Sequence, residues 1–161
     1  MSSCSRTATL GLILAVAAIA RISLPVQAGD HLAGTWELNV AKSKFNPGPP
    51  LKGSTRKFEA LGDGLKFSGQ NLNADGTTLT VEFTAYFDGK EYPIKGDPNA
   101  DTLSLGRIDR FNTEGTFKKA GKVTYRVKRV VSQDGKIWTL TAEGTNTQGK
   151  PYSDVLVFDK K

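Results

Sequence analysis

From Leu32 onward, apolar and polar side chains alternate in short runs, and turn residues separate the runs. The alternation is plainest where Leu79, Val81, Phe83, Ala85 and Phe87 interleave with Thr80, Glu82, Thr84 and Tyr86. A period of two places one set on each face of a β-strand, one inward and one toward water. Four Asp-Gly pairs, at Asp63, Asp75, Asp88 and Asp134, punctuate the runs. Glycine reaches positive φ without steric cost, so Asp-Gly between alternating runs marks tight hairpins. The pattern predicts strands near 35–40, 55–61, 65–70, 77–87, 91–94, 102–108, 114–118, 122–132, 136–145 and 152–158.

Asn46-Pro47-Gly48-Pro49-Pro50 has three residues without an amide hydrogen and is expected to be a loop after the first strand. Ala41–Phe45 is the expected place for a helical turn, and no longer helix is predicted. A row of hairpins leaves two exposed edges unless the sheet closes on itself. The fold class expected is therefore all-β, an antiparallel up-and-down barrel of about 8–10 strands, in preference to a sandwich.

The chain opens differently. Leu10 to Ala20 is an apolar run shorter than the ~20 residues of a membrane-spanning helix, with Arg6 before it and small residues after it. Val26-Gln27-Ala28 fits a small-x-small cleavage site. Residues 1–28 are read as a signal peptide and 29–161 as one domain, exported to the periplasm or secreted, with no membrane span in the mature form. The single cysteine, Cys4, precedes the apolar run, so the mature domain has no disulfide and depends on its core, which about 133 residues can supply. The net charge of +6 falls to about +4 without Arg6 and Arg21, and the lysines are scattered. A nucleic-acid-binding face would need clustered charge, so that class is set aside.

Leu32-Ala33-Gly34-Thr35-Trp36-Glu37-Leu38 resembles the Gly-x-Trp opening of lipocalins and of the intracellular fatty-acid-binding proteins. Val130 to Lys136, with the ending Leu156-Val157-Phe158-Asp159-Lys160, is similar to the close of the fatty-acid-binding barrels. The mature chain also looks like a lipocalin-like group of small exported bacterial proteins with Asp-Gly-Lys turns and a Gly-Lys-Pro-Tyr close, here Gly149 to Tyr152. The resemblance implies a barrel that binds a small apolar or amphipathic molecule. Two departures from it are visible. The Pro-rich segment stands where the fatty-acid-binding barrels carry a helical lid, and Leu156 and Phe158 stand at the positions of their carboxylate-gripping Arg-x-Tyr.

Candidate sites follow from residue chemistry. Asn71, Asn73, Asp75, Gly76 and Glu82 nearly fit a calcium loop, but the Asp-Gly already serves a hairpin and the flanks read as strands. His31 is the only histidine, so a metal site built on histidine or cysteine cannot be assembled, a Ser-His-Asp arrangement would have to recruit this one terminal residue, and most acids sit in turns or alternate outward. No catalytic residue, metal ligand or cofactor is assigned. Arg129 shares its parity with Val123, Tyr125, Val127 and Val131, which places a guanidinium on the apolar face, where it needs a partner. Two partners are considered: an anionic ligand held by its planar fork, or the ring of Trp36, which lipocalin-like barrels cover with a basic side chain. The ligand-binding candidates are Trp36, Phe58, Phe67, Phe83, Tyr125, Arg129 and Trp138; Phe87 and Phe158 complete the aromatic set, which either lines a pocket or fills a solid core. A small-molecule binder is the leading reading. A ligand-free barrel contacting another envelope protein is the alternative, and an enzyme comes third.

Overall fold

A computed structural model describes residues 31–146 and 148–161. The proposed signal segment and cleavage site lie outside these residues. Ten strands make one antiparallel sheet: β1 (Gly34–Leu38), β2 (Gly53–Leu61), β3 (Gly64–Leu72), β4 (Thr78–Tyr86), β5 (Tyr92–Lys95), β6 (Thr102–Arg107), β7 (Asn112–Lys119), β8 (Lys122–Val131), β9 (Ile137–Thr145) and β10 (Pro151–Lys160). Each strand pairs with its neighbours in sequence, and β1 also pairs with β10 in the register Trp36 to Lys160 and Leu38 to Phe158. The sheet is thus a closed up-and-down barrel without free edges, the architecture that the alternation and the lipocalin-like opening predict.

The hairpin signals act as expected. At Asp75 the carboxylate accepts from the Thr77 amide (2.9 Å), and the Gly76 amide donates to the Asn73 carbonyl (3.0 Å). This near-match to a calcium loop is the turn that joins β3 to β4, with Glu82 away from it, paired to Ser68 within the ladder. A single 3₁₀ turn, Val40–Lys42, follows β1. Among the described residues no helix is long and apolar enough to cross a membrane.

β1 is short, and its place beside β10 is taken over by the segment that follows. Lys44 bridges to Val155, the Ser153 amide donates to the Asn46 carbonyl (2.7 Å), and the Asn46 amide donates to the Asp154 carboxylate (2.9 Å). The Pro-rich segment is thereby anchored at the end of the barrel where β10 begins.

The opposite end is packed solid. Trp36 is fully buried, and its indole nitrogen donates to the Leu32 carbonyl (2.8 Å). Trp138 meets Trp36 edge-on at 6.0 Å, Phe58 edge-on at 5.1 Å, and stacks on Phe158 at 4.4 Å. Such pairs add to the burial of large apolar area. Lys160 holds its ammonium 5.0 Å above the Trp36 ring. A basic side chain therefore does cover the tryptophan, but it comes from β10. The reading that Arg129 caps Trp36 is corrected on that point.

A second correction concerns β8. The β7–β8 register slips between Phe117 and Lys118, so that Phe117 faces Tyr125 while Lys118 faces Val123. One extra residue reverses the parity beyond it. Val123 points out, 41% exposed, whereas Tyr125, Val127, Arg129 and Val131 keep the inward face.

Candidate functional site

Period two carries Ser54, Arg56 and Phe58 inward on β2, Phe67, Gly69 and Asn71 on β3, Val81 and Phe83 on β4, and Tyr125 and Arg129 on β8. Between them lies an inner chamber of about 110 Å³, whose wall also includes Ile94, Asp97, Phe117, Trp138 and Leu140. Six of the seven predicted ligand-binding residues, Phe58, Phe67, Phe83, Tyr125, Arg129 and Trp138, are brought together on this wall. Trp36 is not among them; it packs behind Trp138 in the solid end. Phe158 belongs to the same packed cluster, and Phe87 lies under the Arg107 guanidinium at 4.0 Å. His31 rests against the Phe111 ring at 4.6 Å.

A wider hollow of about 270 Å³ continues toward the Pro-rich end. Phe45, Pro49 and Leu51 roof it, and Asn99, Tyr152 and Asp154 stand on its sides. Arg56, Asn71, Asp97 and Tyr125 line both spaces and form the neck between them.

Two guanidinium groups define the chemistry. Arg129 is 6% exposed and has no hydrogen bond or ion pair to protein among the described residues. Burial pushes its pKa down to about 10, so it is still charged at neutral pH. Arg56 lies across the Phe158 ring at 4.7 Å and the Trp138 ring at 5.5 Å, with one long hydrogen bond from Nε to the Ser54 hydroxyl (3.4 Å). Its pKa is also pushed down to about 10, chiefly by burial and further by the charge of Arg129. Room for the Arg129 guanidinium depends on Gly115, where a Cβ would sit 3.3 Å from Arg129 Nη1 and 3.2 Å from both Phe117 and Val127.

The neck has an acceptor as well. Tyr125 stacks on Phe117 (4.2 Å, 13°), and its hydroxyl donates to Asp97 Oδ2 at 2.5 Å. Burial, and then the Asp97 charge, push the Tyr125 phenol well above its ordinary range, which keeps it a donor. Asp97 Oδ1 accepts from the Asn99 amide (2.7 Å), and Thr124 Oγ1 donates to the Asn99 carbonyl (2.8 Å), so the loop is tied to β8. Gly96 sets the loop's path: its φ is +80°, and a Cβ there would lie 1.9 Å from the Thr80 carbonyl oxygen.

Arg56 and Asp97 were missed by sequence reading, for different reasons. The signal for Arg56 was present, since it stands two residues before Phe58 between outward-facing Thr55 and Lys57. Asp97 lies in a loop, where period two has no meaning.

The chain matches no protein-family model and no curated protein. Among solved structures it is similar to the zebrafish ileal bile acid-binding protein crystallised with cholic acid. The identity is 14%, covering 81% of this chain and 99% of that one, with a TM-score of 0.46.

Proposed function

We propose that this barrel binds a small amphipathic anion, its acid group in the inner chamber and its apolar part in the hollow beneath the Pro-rich segment. The observation that carries the reading is Arg129, a buried cation with no ion pair to protein among the described residues, in a chamber walled largely by aromatic and aliphatic side chains. A desolvated charge without a partner is costly, and a planar fork of donors suits a carboxylate or a similar oxyanion. Unused donors accompany it: Trp138 Nε1 is buried without a partner, and Asn71 spends its Oδ1 on Ser54 (2.7 Å). The chamber alone is small for an organic ligand, and only with the outer hollow does the space reach the ~300 Å³ where ligand pockets begin. That proportion suits a compact head and a short tail. The protein would act outside the cytoplasm, as the run Leu10–Ala20 and the Val26-Gln27-Ala28 site suggest; N-terminal sequencing of the exported protein should start near Gly29.

The binding test is a titration of decanoate and decanol followed by the fluorescence of Trp138 and Trp36. Decanoate should bind saturably and more tightly than decanol. Arg129→Leu should weaken decanoate by about 10- to 100-fold, the worth of a charge-assisted hydrogen bond, and leave decanol unchanged. No saturable binding of any acid to the folded protein would overturn the reading and favour a barrel acting through its outer surface.

A further inference from the structure

The neck carries opposite charges that do not touch. Arg56 and Asp97 line both the chamber and the hollow, yet among the described residues no ion pair within 4.0 Å joins Asp97 to either arginine. Facing charges in an enclosed space would collapse onto each other if nothing else held them. Here each is held from behind: Arg56 by two aromatic faces and Ser54, Asp97 by the Tyr125 hydroxyl and the Asn99 amide. The gap between them is thus built into the framework.

Each Asp97 oxygen has accepted one hydrogen bond, and a carboxylate has about four acceptor sites, so acceptor capacity remains at the neck. Arg56 offers donors at the neck, and Arg129 offers them in the chamber below it. Both sets line the same chamber of about 110 Å³.

We propose that the neck selects hydroxy acids with an apolar tail, Arg129 and Arg56 taking the acid group and Asp97 accepting from a hydroxyl on the adjacent carbon or the next. The charge balance favours hydroxyl over ammonium as the donor. Two guanidinium charges against one carboxylate leave a single positive charge, which a hydroxy acid neutralises and a zwitterionic amino acid does not. A plain fatty acid would fill the chamber but place methylene groups against Asp97, so the half-buried carboxylate would lose water at its remaining acceptor sites without gaining a donor. A site that desolvates acceptor capacity which only a hydroxyl can use disfavours the ligand lacking that hydroxyl. The inference rests on the anion-binding reading above and adds Asp97 as the residue that sets specificity.

The test is a calorimetric comparison of decanoate, α- and β-hydroxydecanoate and α-aminodecanoate on the intact exported protein. One of the hydroxy acids should bind about tenfold more tightly than decanoate. Asp97→Asn should shrink that ratio by weakening the hydroxy acid while decanoate holds or improves. Tyr125→Phe, which keeps the ring on Phe117 and frees an Asp97 oxygen, should widen it. Equal binding of plain and hydroxy acids by the native protein, the same ratio in Asp97→Asn, or α-aminodecanoate as the tightest ligand would each overturn the proposal. All three would leave anion binding standing, whereas failure of every acid to bind would remove both readings. The native-protein ratio decides the matter even if a variant fails to fold.

Discussion

The two ends of this barrel are built from the same alternating strands and put to opposite uses. At the end where β10 finishes, Trp36, Phe58, Trp138 and Phe158 fill the interior, with Lys160 over the Trp36 ring from the partner strand and Arg56 across the chamber side of Phe158 and Trp138. Toward the end where β10 begins, the interior is hollow and holds Arg129, Arg56 and Asp97 around the neck. Large apolar area removed from water stabilises the first end, whereas buried charge opposes folding at the second. The comparison suggests a division of labour, in which the packed end supplies the free energy that lets the hollow end keep its charges apart.

The largest expected effect lies at the packed end. Trp36→Ala should lower stability by about 3–5 kcal/mol, as for other large-to-small changes in a core, because the packed residues around this fully buried ring cannot collapse into so large a void. Denaturant unfolding measures this. Affinity for decanoate, corrected for the folded fraction, should be unchanged, since Trp36 does not reach the chamber. A loss of affinity as large as the loss of stability would mean that the two ends are not separate.

Arg129→Leu tests the other end and should have the opposite sign. The folded-state pKa of Arg129 is lowered, so the charged form is disfavoured by folding at neutral pH, and that penalty fades only as pH rises through about 10. Removing the charge should therefore raise the stability of the ligand-free protein by about 1–2 kcal/mol, while acid binding is weakened. Thermal melts with and without decanoate would show it. A destabilised Arg129→Leu would indicate that the guanidinium is part of the scaffold.

The smallest effect concerns pH. The turn carboxylates Asp75, Asp88, Asp109 and Asp134 are held below their ordinary pKa, in each case mainly by hydrogen bonds within their own turns, to Thr77, Lys90, Phe111 and Ser132 respectively. A lowered folded-state pKa contributes stability above the unfolded value of ~4 and loses it as pH falls through the folded one. Asp154 at the hollow end is raised by burial, so its contribution runs the other way and favours the folded state in acid. Between pH 5 and pH 2 the native melting temperature should fall modestly. In Asp154→Asn, which no longer has the opposing contribution, it should fall further over the same interval.

Much of this was legible along the chain because a closed meander is a local fold. Every strand except the closing pair joins its sequence neighbour, so Asp-Gly turns and period two sufficed to predict ten strands, the Pro-rich loop and the inward set Phe58, Phe67, Phe83, Tyr125 and Arg129. The sequence by itself also determined that a charge would be buried, since Arg129 sits between Val127 and Val131 in parity. What surrounds that charge was decided by tertiary structure. The extra residue in β8 turned Val123 outward, the β1–β10 closure brought Lys160 to Trp36 in place of Arg129, and Gly115 left space for the guanidinium. The loop at Asp97 met Tyr125 across 28 positions of chain, a contact that alternation cannot specify because it depends on where a strand ends and how a barrel closes.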